Sequence, residues 1–323
     1  MAYAGIDLGA TNVRAVVADE EGTVVGSAKR PTPQGPNGIA VTEAVLSTLR
    51  SALANAGVDA SAVRAAGIGS VGPLDLAEGT VTDPANLPDT IDRIPLTGPI
   101  SNLVGTDRVF LHNDANAGVI GERFYSDRNP DDMVYLTVSS GIGAGVCVDG
   151  RVLSGWDGNA GEVGHITVDP NGVMTCGCGH DGHWEAYSSG ENVPEYARRL
   201  HDEDAVATSL PLEDPDMDAA TVFAAAADGD DFANHVLEQV THWNALGVAT
   251  ITQAYAPLVV FVGGAVALNN PERIVEPLRD RIEDMVMVNV PDVQLTTLGD
   301  DVVVRGALAS AMTDGTGDRA RFG

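Results

Sequence analysis

Two glycine-rich segments of this chain repeat one pattern at one spacing, and the repeat limits the folds that the chain can adopt. Asp7 opens a glycine-rich turn between two apolar runs, the second of which ends at Asp19. Thr137 opens a similar turn, whose second run ends at Asp149, so the interval is 12 residues in both copies. Each copy predicts a strand, a turn, a strand, a turn and a third strand. The repeat favours two duplicated domains with a cleft between the copies, against the alternative of two unrelated hairpins.

Apolar runs of strand length alternate with helical patterns along the chain. Strands are predicted over residues 3–7, 13–19, 23–28, 65–71 and 108–112, and helices over residues 39–56, 231–256, 271–288 and 302–312. Gly57 fits the end of the first helix, and Pro271 fits the first turn of a later one. The acidic residues 202–231 predict a solvated segment with one helix, and the residues after Asp314 are expected to fray. The alternation predicts an α/β protein with parallel strands.

The charge of the chain excludes some partners. Its 18 Lys and Arg residues face 46 Asp and Glu residues, which gives a formal net charge of −28. Nucleic-acid backbones and anionic membrane surfaces both need cationic contacts, so neither is expected as a partner. Lys29 is the only lysine, and strong acidity without lysine suggests a halophilic protein, since salt screens self-repulsion. An ordinary acidic enzyme is the alternative, and stability that does not rise with salt would favour it.

The N-terminus and one apolar stretch bear on localisation. The chain enters its first predicted strand at Tyr3 without a cationic and apolar leader, so a cytoplasmic protein is expected. Residues 248–268 are apolar enough to suggest a membrane span, but Gln253, Pro257 and the pair Gly263 and Gly264 interrupt them. A helix end, a turn and a buried strand over residues 258–262 explain the stretch better.

Three glycine-rich turns follow apolar strands and offer bare backbone to a ligand. They lie at residues 7–12, at residues 139–145 and at Gly263 and Gly264. Glycine lets backbone N–H groups approach an anion, and Thr11 adds a hydroxyl donor. A carboxylate at the strand end, here Asp7, can hold a metal ion. Each turn alone is compatible with a plain hairpin, whereas three of them favour a nucleotide site.

Asp114 follows the predicted strand over residues 108–112, where α/β sheets commonly bind ligands. A carboxylate there can orient a hydroxyl and take its proton during phosphoryl transfer. Asp also caps helices well, so Asp114 is in addition a candidate N-cap residue, and both roles can hold together.

A His/Cys segment has the composition of a structural zinc site. The candidate ligands are His165, Cys176, Cys178 and His183, a Cys₂His₂ set with short spacings separated by glycine. Three cysteines in the whole chain are too few for a disulfide framework. His180 competes with His183 for the fourth position, and two free cysteines in a loop are the alternative.

These residues together resemble the ROK family of sugar kinases and repressors over nearly the whole chain. The resemblance lies in residues 7–12, 112–117, 161–165 and 176–185, in the order in which the family has them. It implies the actin-like, ribonuclease-H-like ATPase fold, with two duplicated α/β domains around a cleft. The expected domains are a small one, residues 1–113 with a returning C-terminal helix over 302–323, and a large one, residues 114–301, with the zinc loop.

The resemblance also implies ATP-dependent phosphorylation of a hexose, most simply of glucose at its 6-hydroxyl, with Mg²⁺ and a structural Zn²⁺. Asp114 matches the family's catalytic base. The matched sugar contacts are Gly72, Asn113, Glu162, His165 and Glu185. The matched nucleotide contacts are Asp7, Gly9, Thr11 and Asn12, then Thr137, Ser139 and Gly141, then Gly263 and Gly264. His165 then serves zinc with one ring nitrogen and the sugar with the other.

Two departures from the family pattern bear on these roles. His183 stands where the family usually has a third cysteine, and Ser139 with Ser140 stand where it usually has Gly-Thr. The open alternatives are another sugar, namely N-acetylglucosamine, N-acetylmannosamine, fructose or allose, a non-catalytic sugar-binding regulator, and polyphosphate as the donor. A DNA-binding repressor is disfavoured by the charge and by the six residues before Asp7. The resemblance further implies a homo-oligomer, a dimer or tetramer.

Overall fold

Two five-stranded sheets organise the chain, which this computed structural model describes over residues 1–84 and 86–322. In chain order the strands are β1 (Ala2–Leu8), β2 (Asn12–Ala18), β3 (Val24–Pro31), β4 (Val63–Ser70), β5 (Leu74–Asp75), β6 (Thr80–Thr82), β7 (Arg93–Pro95), β8 (Val109–Asn113), β9 (Met133–Val138), β10 (Ile142–Val148), β11 (Arg151–Val152), β12 (Val259–Gly263) and β13 (Asp292–Leu295). A smaller sheet contains β5, β6 and β7.

The two larger sheets have the same strand topology. Their orders are β3-β2-β1-β4-β8 and β11-β10-β9-β12-β13, which match position by position. In the first sheet β1 is antiparallel to β2 and parallel to β4, and in the second β12 is parallel to both β9 and β13. Two mixed sheets built on one plan confirm the predicted α/β class and the duplication that the 12-residue repeat indicated.

Helices cover the sheets and connect their strands. In chain order they are α1 (Gly38–Ala56), α2 (Thr97–Val104), α3 (Asp114–Tyr125), α4 (Glu185–Ser188), α5 (Val193–Glu203), α6 (Ala219–Ala227), α7 (Asp231–Tyr255), α8 (Ala265–Asn269), α9 (Pro271–Ile274), α10 (Glu276–Glu283) and α11 (Val302–Met312). Gly57 ends α1 in the left-handed conformation, with φ of 66°, as predicted. Short 3₁₀ turns include Val163–His165.

The single helix predicted over residues 271–288 is wrong, because the chain breaks between α9 and α10. Pro277 lies in the first turn of α10 and has no N–H to donate to the carbonyl of Arg273. That carbonyl accepts a hydrogen bond from Thr241 Oγ1 instead, at 3.4 Å. The two helices are separated at Val275, and α10 begins with Glu276 and Pro277 in its first turn.

The predicted fraying after Asp314 is wrong as well. The ring of Phe322 packs edge-on against Tyr3 and Phe124, with centroid distances of 6.2 Å and 5.7 Å. A 3₁₀ turn, Arg319–Arg321, precedes it and is capped by Asp318, whose side chain accepts from the backbone N–H of Ala320. Packing of this aromatic ring therefore holds the C-terminal segment against the first unit.

The described residues fall into two compact units. The first comprises Met1–Asp131, Gly145–Gly161 and Asp300–Gly323. Within it α11 packs on β1 and β4, while α1 packs on β2 and β3. The second comprises Asp132–Ala144 and Glu162–Gly299. Within it α7 packs against α6 and α10, and the buried indole of Trp184 donates a hydrogen bond to Asn244 on α7.

Within residues 1–84 and 86–322, no helix has both the length and the apolar character needed to cross a membrane. The apolar stretch at residues 248–268 is the end of α7, a turn, β12 and the start of α8. All five residues of β12 are buried. The predicted interpretation of this stretch is therefore confirmed.

Candidate active site

The first glycine turn joins β1 to β2 in the first unit. The backbone N–H of Gly9 donates to the carbonyl of Asn12, at 3.0 Å, which closes the turn. Within the described part of the chain, the N–H groups of Ala10 and Thr11 make no hydrogen bond. Thr11 is exposed. The turn therefore presents backbone donors and a hydroxyl to solvent, an arrangement that suits an oxyanion.

Two side chains that follow β3 hold this turn in place. Thr32 donates its backbone N–H to the carbonyl of Thr11, at 2.9 Å, and its hydroxyl to the carbonyl of Gly9, at 2.7 Å. Gln34 donates from Nε2 to the carbonyl of Ala10, at 3.0 Å. The carbonyls of Gly9, Ala10 and Thr11 are thus engaged by the segment that follows β3, whereas the N–H groups of Ala10 and Thr11 are not. Neither Thr32 nor Gln34 belongs to a motif, and both lie more than twenty positions from the turn, so the sequence pattern does not predict their role.

Asp7, at the end of β1, is paired with an arginine that the motif analysis did not single out. Arg14 on β2 places Nε and Nη2 at 2.8 Å and 2.7 Å from Asp7 Oδ2. Burial raises the pKa of the Asp7 carboxyl, and the Arg14 guanidinium opposes this rise. One carboxylate oxygen of the predicted metal-binding residue is therefore engaged by a cation.

The end of β8 positions the predicted base. Ser70 of β4 lies opposite Asn113 of β8 in the parallel register, so both strands end at one edge. Asn113 Oδ1 accepts a hydrogen bond from the N–H of Asn116, at 2.7 Å, and caps α3. The N-cap role predicted for Asp114 is therefore wrong, because the preceding residue fills it. Asp114 is the first helical residue, where a negative charge is favoured by the helix dipole, and its Oδ1 accepts from Ala115 N–H at 2.7 Å.

His112 precedes these two residues and ties β8 to α11. Its Nε2 lies 2.7 Å from Ser310 Oγ. Burial lowers the pKa of His112 from the ordinary 6.5 to about 4, because desolvation disfavours the charged ring. The imidazole is therefore neutral near pH 7 and serves as a structural hydrogen-bonding group.

The second glycine turn joins β9 to β10 in the second unit. Ser139 N–H donates to the carbonyl of Gly141, at 2.9 Å, and the Ser139 carbonyl accepts from Gly190 N–H, at 2.7 Å. Gly263 of β12 lies opposite Thr137 of β9. Gly264 follows with φ of 89°, and a side chain there would collide with the backbone of β9. The structure thus brings together the second and third of the predicted glycine turns within this unit.

Three predicted sugar contacts, Glu162, His165 and Glu185, also lie in the second unit. Partial desolvation raises the pKa of the Glu162 carboxyl, His165 lowers it, and the charge of Glu185 raises it further. Glu185 Oε2 also accepts a hydrogen bond from the backbone N–H of Ile142, at 2.8 Å. These side chains are close enough to interact electrostatically and form a polar, anionic group beside the second glycine turn.

The four predicted metal ligands converge. One ligand atom each from His165, Cys176, Cys178 and His183 lies within 4.8 Å of all the others. Cys176 Sγ is 3.6 Å from His165 Nδ1, and Cys178 Sγ is 3.2 Å from His183 Nδ1. Bonds of ~2.3 Å to sulfur and ~2.0 Å to nitrogen in a tetrahedral zinc site put such atoms ~3.5 Å apart. The donor set and its spacing therefore fit zinc.

His180 is the less suitable of the two competing histidines. Its Nδ1 lies 3.7 Å from Cys178 Sγ, but it is not one of the four converging ligands. It is exposed, and its ring stacks on that of His183 with an angle of 12°. The geometry favours His183 as the fourth ligand.

A buried carboxylate that sequence analysis missed organises the segment before Cys176. Asp169 is 2% exposed and accepts hydrogen bonds from the N–H groups of Asn171 and Val173 and from the Tyr187 hydroxyl. Desolvation raises the pKa of Asp169, but these hydrogen bonds outweigh it and lower the pKa overall. The Tyr187 hydroxyl in turn accepts from Met174 N–H, at 2.9 Å. This network sets the path of the chain into the ligand cluster.

Known proteins resemble this chain over most of its length. The pattern of the ROK family matches residues 3–313. A glucokinase of Pyrobaculum calidifontis is 37% identical over 309 residues, which cover 96% of this chain and 94% of the relative. An N-acetylmannosamine kinase of Yersinia pseudotuberculosis is 34% identical over 264 residues, covering 81% and 82%.

Solved structures show the same fold. A ROK hexokinase from Thermus thermophilus is 32% identical and has a TM-score of 0.81, covering 96% of this chain and 98% of that one. A ROK family glucokinase from Streptomyces griseus, in complex with glucose and AMPPNP, is 29% identical with a TM-score of 0.73, covering 96% and 99%. The actin-like ATPase fold that the resemblance implied is therefore confirmed.

Proposed function

Because this chain belongs to the ROK family, we propose that it is a glucokinase that transfers the terminal phosphoryl group of ATP to the 6-hydroxyl of glucose. Glucokinases 31–37% identical, covering 85–96% of this chain, support the reaction. The structural observation that carries the proposal is that two adjacent residues at the end of β8 have different roles. Asn113 caps α3, so Asp114 keeps its carboxylate at a ligand-binding edge without having to cap the helix.

Asp114 is the proposed general base. The 6-hydroxyl oxygen attacks the terminal phosphorus, the bond from that phosphorus to the bridging oxygen of ADP breaks, and the hydroxyl proton passes to the Asp114 carboxylate. Most of the rate enhancement then comes from positioning and from electrostatic stabilisation of the transferring group. Asn113 would contact the sugar only as a donor. Its Oδ1 accepts the capping hydrogen bond, so its Nδ2 group is the part proposed to bind a sugar hydroxyl.

The proposed nucleotide contacts follow from the glycine turns. In the first unit the N–H groups of Ala10 and Thr11 would bind phosphate oxygens. In the second unit the turn at Ser139–Gly141 would do the same, and Gly263 and Gly264 would let adenosine approach the backbone. Asp7 offers one carboxylate oxygen not bound by Arg14, and Mg²⁺ commonly takes one or two carboxylates together with substrate phosphates. Mg²⁺, when bound, would neutralise phosphate charge.

The proposed sugar contacts are polar groups matched to hydroxyls. Glu162, His165 and Glu185 would accept or donate hydrogen bonds in the second unit, and Gly72 would offer its backbone in the first. His165 directs Nδ1 toward Cys176, which leaves Nε2 for the sugar. Buried polar groups left unpaired penalise substrates that lack the matching hydroxyl. Zinc held by the four-ligand cluster would fix the ring of His165.

Another sugar is the second candidate, because an N-acetylmannosamine kinase matches 81% of this chain. A coupled assay over glucose, N-acetylglucosamine, N-acetylmannosamine, fructose and allose, each with ATP and with polyphosphate, ranks the substrates and donors. Preference for glucose with ATP by kcat/KM supports the proposal. Sugar binding without turnover of any donor would indicate a regulator instead.

The test of the base is Asp114→Asn against Asp231→Asn. Asp231 also occupies the first turn of a helix, α7, so its variant controls for the loss of a helix-dipole charge. Asp114→Asn should still bind glucose but lose about 10²–10⁴-fold in kcat, the contribution typical of a positioned base. Asp231→Asn should keep its kcat. A near-normal kcat in Asp114→Asn would refute the assignment.

A further inference from the structure

A cavity of about 530 Å³ in the first unit is lined by three cationic side chains. Arg14 reaches it from β2, Lys29 from β3 and Arg305 from α11. The chain has only 18 Lys and Arg residues against 46 Asp and Glu residues, and Lys29 is its only lysine. Three cations therefore line one cavity in a chain whose formal net charge is −28.

The register of the first sheet sets two of these cations side by side. Arg14 pairs with Asp7 of β1 on one side and with Lys29 of β3 on the other. Cross-strand partners share a face of the sheet, and like charges placed opposite each other destabilise the pair. Asp7 compensates Arg14, because both of their hydrogen bonds are shorter than 3 Å. In the described part of the chain Lys29 has neither an ion pair nor a hydrogen bond of its ammonium group.

The helix side of the cavity adds a cation without a carboxylate partner. Asp301, just before α11, places Oδ1 at 3.3 Å from Arg14 Nη1. Arg305 lies one turn further along, and its guanidinium rests over the Tyr125 ring at 5.6 Å from the centroid. Among residues 1–84 and 86–322, no carboxylate forms an ion pair with it. The hydrogen bonds of both acids near the cavity are thus directed to Arg14, and Asp7 acts on Lys29 only through its charge. Within the described residues, neither Lys29 nor Arg305 forms an ion pair with a carboxylate.

We propose that this cavity binds a phosphate group through Lys29 and Arg305, beside Arg14, whose guanidinium is held by Asp7, Asp301 and the Asp300 carbonyl. Guanidinium groups match phosphate oxygens in a forked geometry, and a lysine adds a compact charge. Ser27 lines the same cavity, and its hydroxyl would offer a further donor. The volume exceeds that of a single phosphate ion, so a condensed phosphate or a phosphorylated sugar also fits. Because Arg14 contacts Asp7 of the first glycine turn, occupancy here is linked to the candidate nucleotide site.

The test measures binding rather than turnover, so that it stands apart from the proposed glucokinase reaction. Isothermal titration calorimetry with inorganic phosphate, pyrophosphate and glucose 6-phosphate is run at fixed ionic strength set by potassium chloride. Saturating AMPPNP and glucose occupy the candidate active site, so any binding reports a second site. The double variant Lys29→Gln/Arg305→Gln is compared with a control double variant, Arg50→Gln/Arg321→Gln. The control removes two exposed arginines elsewhere in the chain.

The wild-type chain and the Arg50/Arg321 variant should bind one phosphate-bearing ligand per chain. The Lys29/Arg305 variant should bind at least about tenfold more weakly, because it loses two charge-assisted contacts. Lys29→Arg keeps the charge and should bind like the wild type. Weak binding in the Lys29/Arg305 variant would then be due to lost charge and not to misfolding. Tighter binding of glucose 6-phosphate than of pyrophosphate identifies a sugar phosphate as the ligand, and the reverse identifies a condensed phosphate. Equal affinity in both double variants, or no second site in the wild type, overturns the proposal.

Discussion

The Glu185 carboxylate accepts a hydrogen bond from the backbone N–H of Ile142, with 2.8 Å between Oε2 and the nitrogen. Ile142 begins the strand after the second glycine turn, and Glu185 begins the helix after the His/Cys segment. A Cβ on the neighbouring Gly141 would lie 2.6 Å from Glu185 Oε2, so a side chain there would displace the Glu185 carboxylate. One side chain therefore joins the predicted nucleotide turn to the predicted metal and sugar residues.

This link predicts different outcomes for two Glu185 variants. Glu185→Gln keeps an acceptor for Ile142 but loses the charge, so it should fold and raise the KM for glucose about tenfold or more. Glu185→Ala leaves the Ile142 N–H without its partner, at a cost of about 1–3 kcal/mol, and should also raise the KM for ATP. Steady-state kinetics and thermal melts measure both effects.

Glu191→Gln is the matched control, since Glu191 is an exposed carboxylate in the same unit. It should leave both KM values unchanged. An unaltered KM for ATP in Glu185→Ala would show that the hydrogen bond to Ile142 does not hold the turn.

The geometry of the metal cluster predicts that substitutions of His183 and of His180 differ in their effect on bound zinc. His183→Ala should lose bound zinc and melt at a lower temperature, because three ligands do not close a structural site. His180→Ala should keep one zinc per chain, since His180 lies outside the converging set. His183→Cys supplies another soft ligand and should retain zinc. Elemental analysis of purified protein, with melts before and after a chelator, measures these outcomes, and zinc loss in His180→Ala alone would reverse the assignment.

Because Thr32 holds the first glycine turn, we expect its substitution to weaken ATP binding without weakening glucose binding. Thr32→Val removes the hydroxyl that donates to the Gly9 carbonyl, at 2.7 Å, and leaves a partly buried acceptor without this partner. The free energy of unfolding should fall by about 1–3 kcal/mol, and the KM for ATP should rise several-fold while that for glucose stays the same.

Thr48→Val is the control for this substitution. Thr48 is fully buried in α1 and its hydroxyl donates to the Ala44 carbonyl, also at 2.7 Å. Thr48→Val thus makes the same side-chain change at a site remote from the turn, where the carbonyl keeps its helical backbone partner. It should lower stability without changing either KM. Equal kinetic effects of the two variants would mean that Thr32 acts only on stability.

Burial of His112 is expected to contribute to the pH dependence of the free energy of unfolding. Its pKa falls from an ordinary 6.5 to about 4 in the folded chain, so between these values the unfolded chain binds a proton that the folded chain does not. Stability should therefore decrease as the pH falls from about 6.5 to about 4, by at most about 1.4 kcal/mol per pH unit from this group. Denaturant unfolding at a series of pH values should show a shallower decrease in His112→Gln. The exposed His235→Gln should keep the wild-type dependence, and identical slopes in all three proteins would contradict the prediction.

The local elements could be predicted because their signals are local. The 12-residue repeat predicted two equivalent strand–turn–strand units, and Gly57 marked the end of α1. The four metal ligands could be named because His165 and His183 are only 18 positions apart and glycines let the intervening chain turn. Pro277 is also a local signal for a new helix start, but the apolar pattern continues through it and predicts one helix instead of α9 and α10.

The sequence by itself determined the α/β class, the duplication and the residue types at each predicted site, since apolar periodicity and glycine position act over a few residues. Only the tertiary structure decided that Thr32 and Gln34 orient the first turn, that Arg14 occupies one oxygen of Asp7, and that Asn113 rather than Asp114 caps α3. These contacts depend on strand register and on which of two adjacent polar side chains faces the helix end. Periodicity specifies a face of a strand or helix, whereas a hydrogen bond needs a partner at a defined distance, and folding alone provides that.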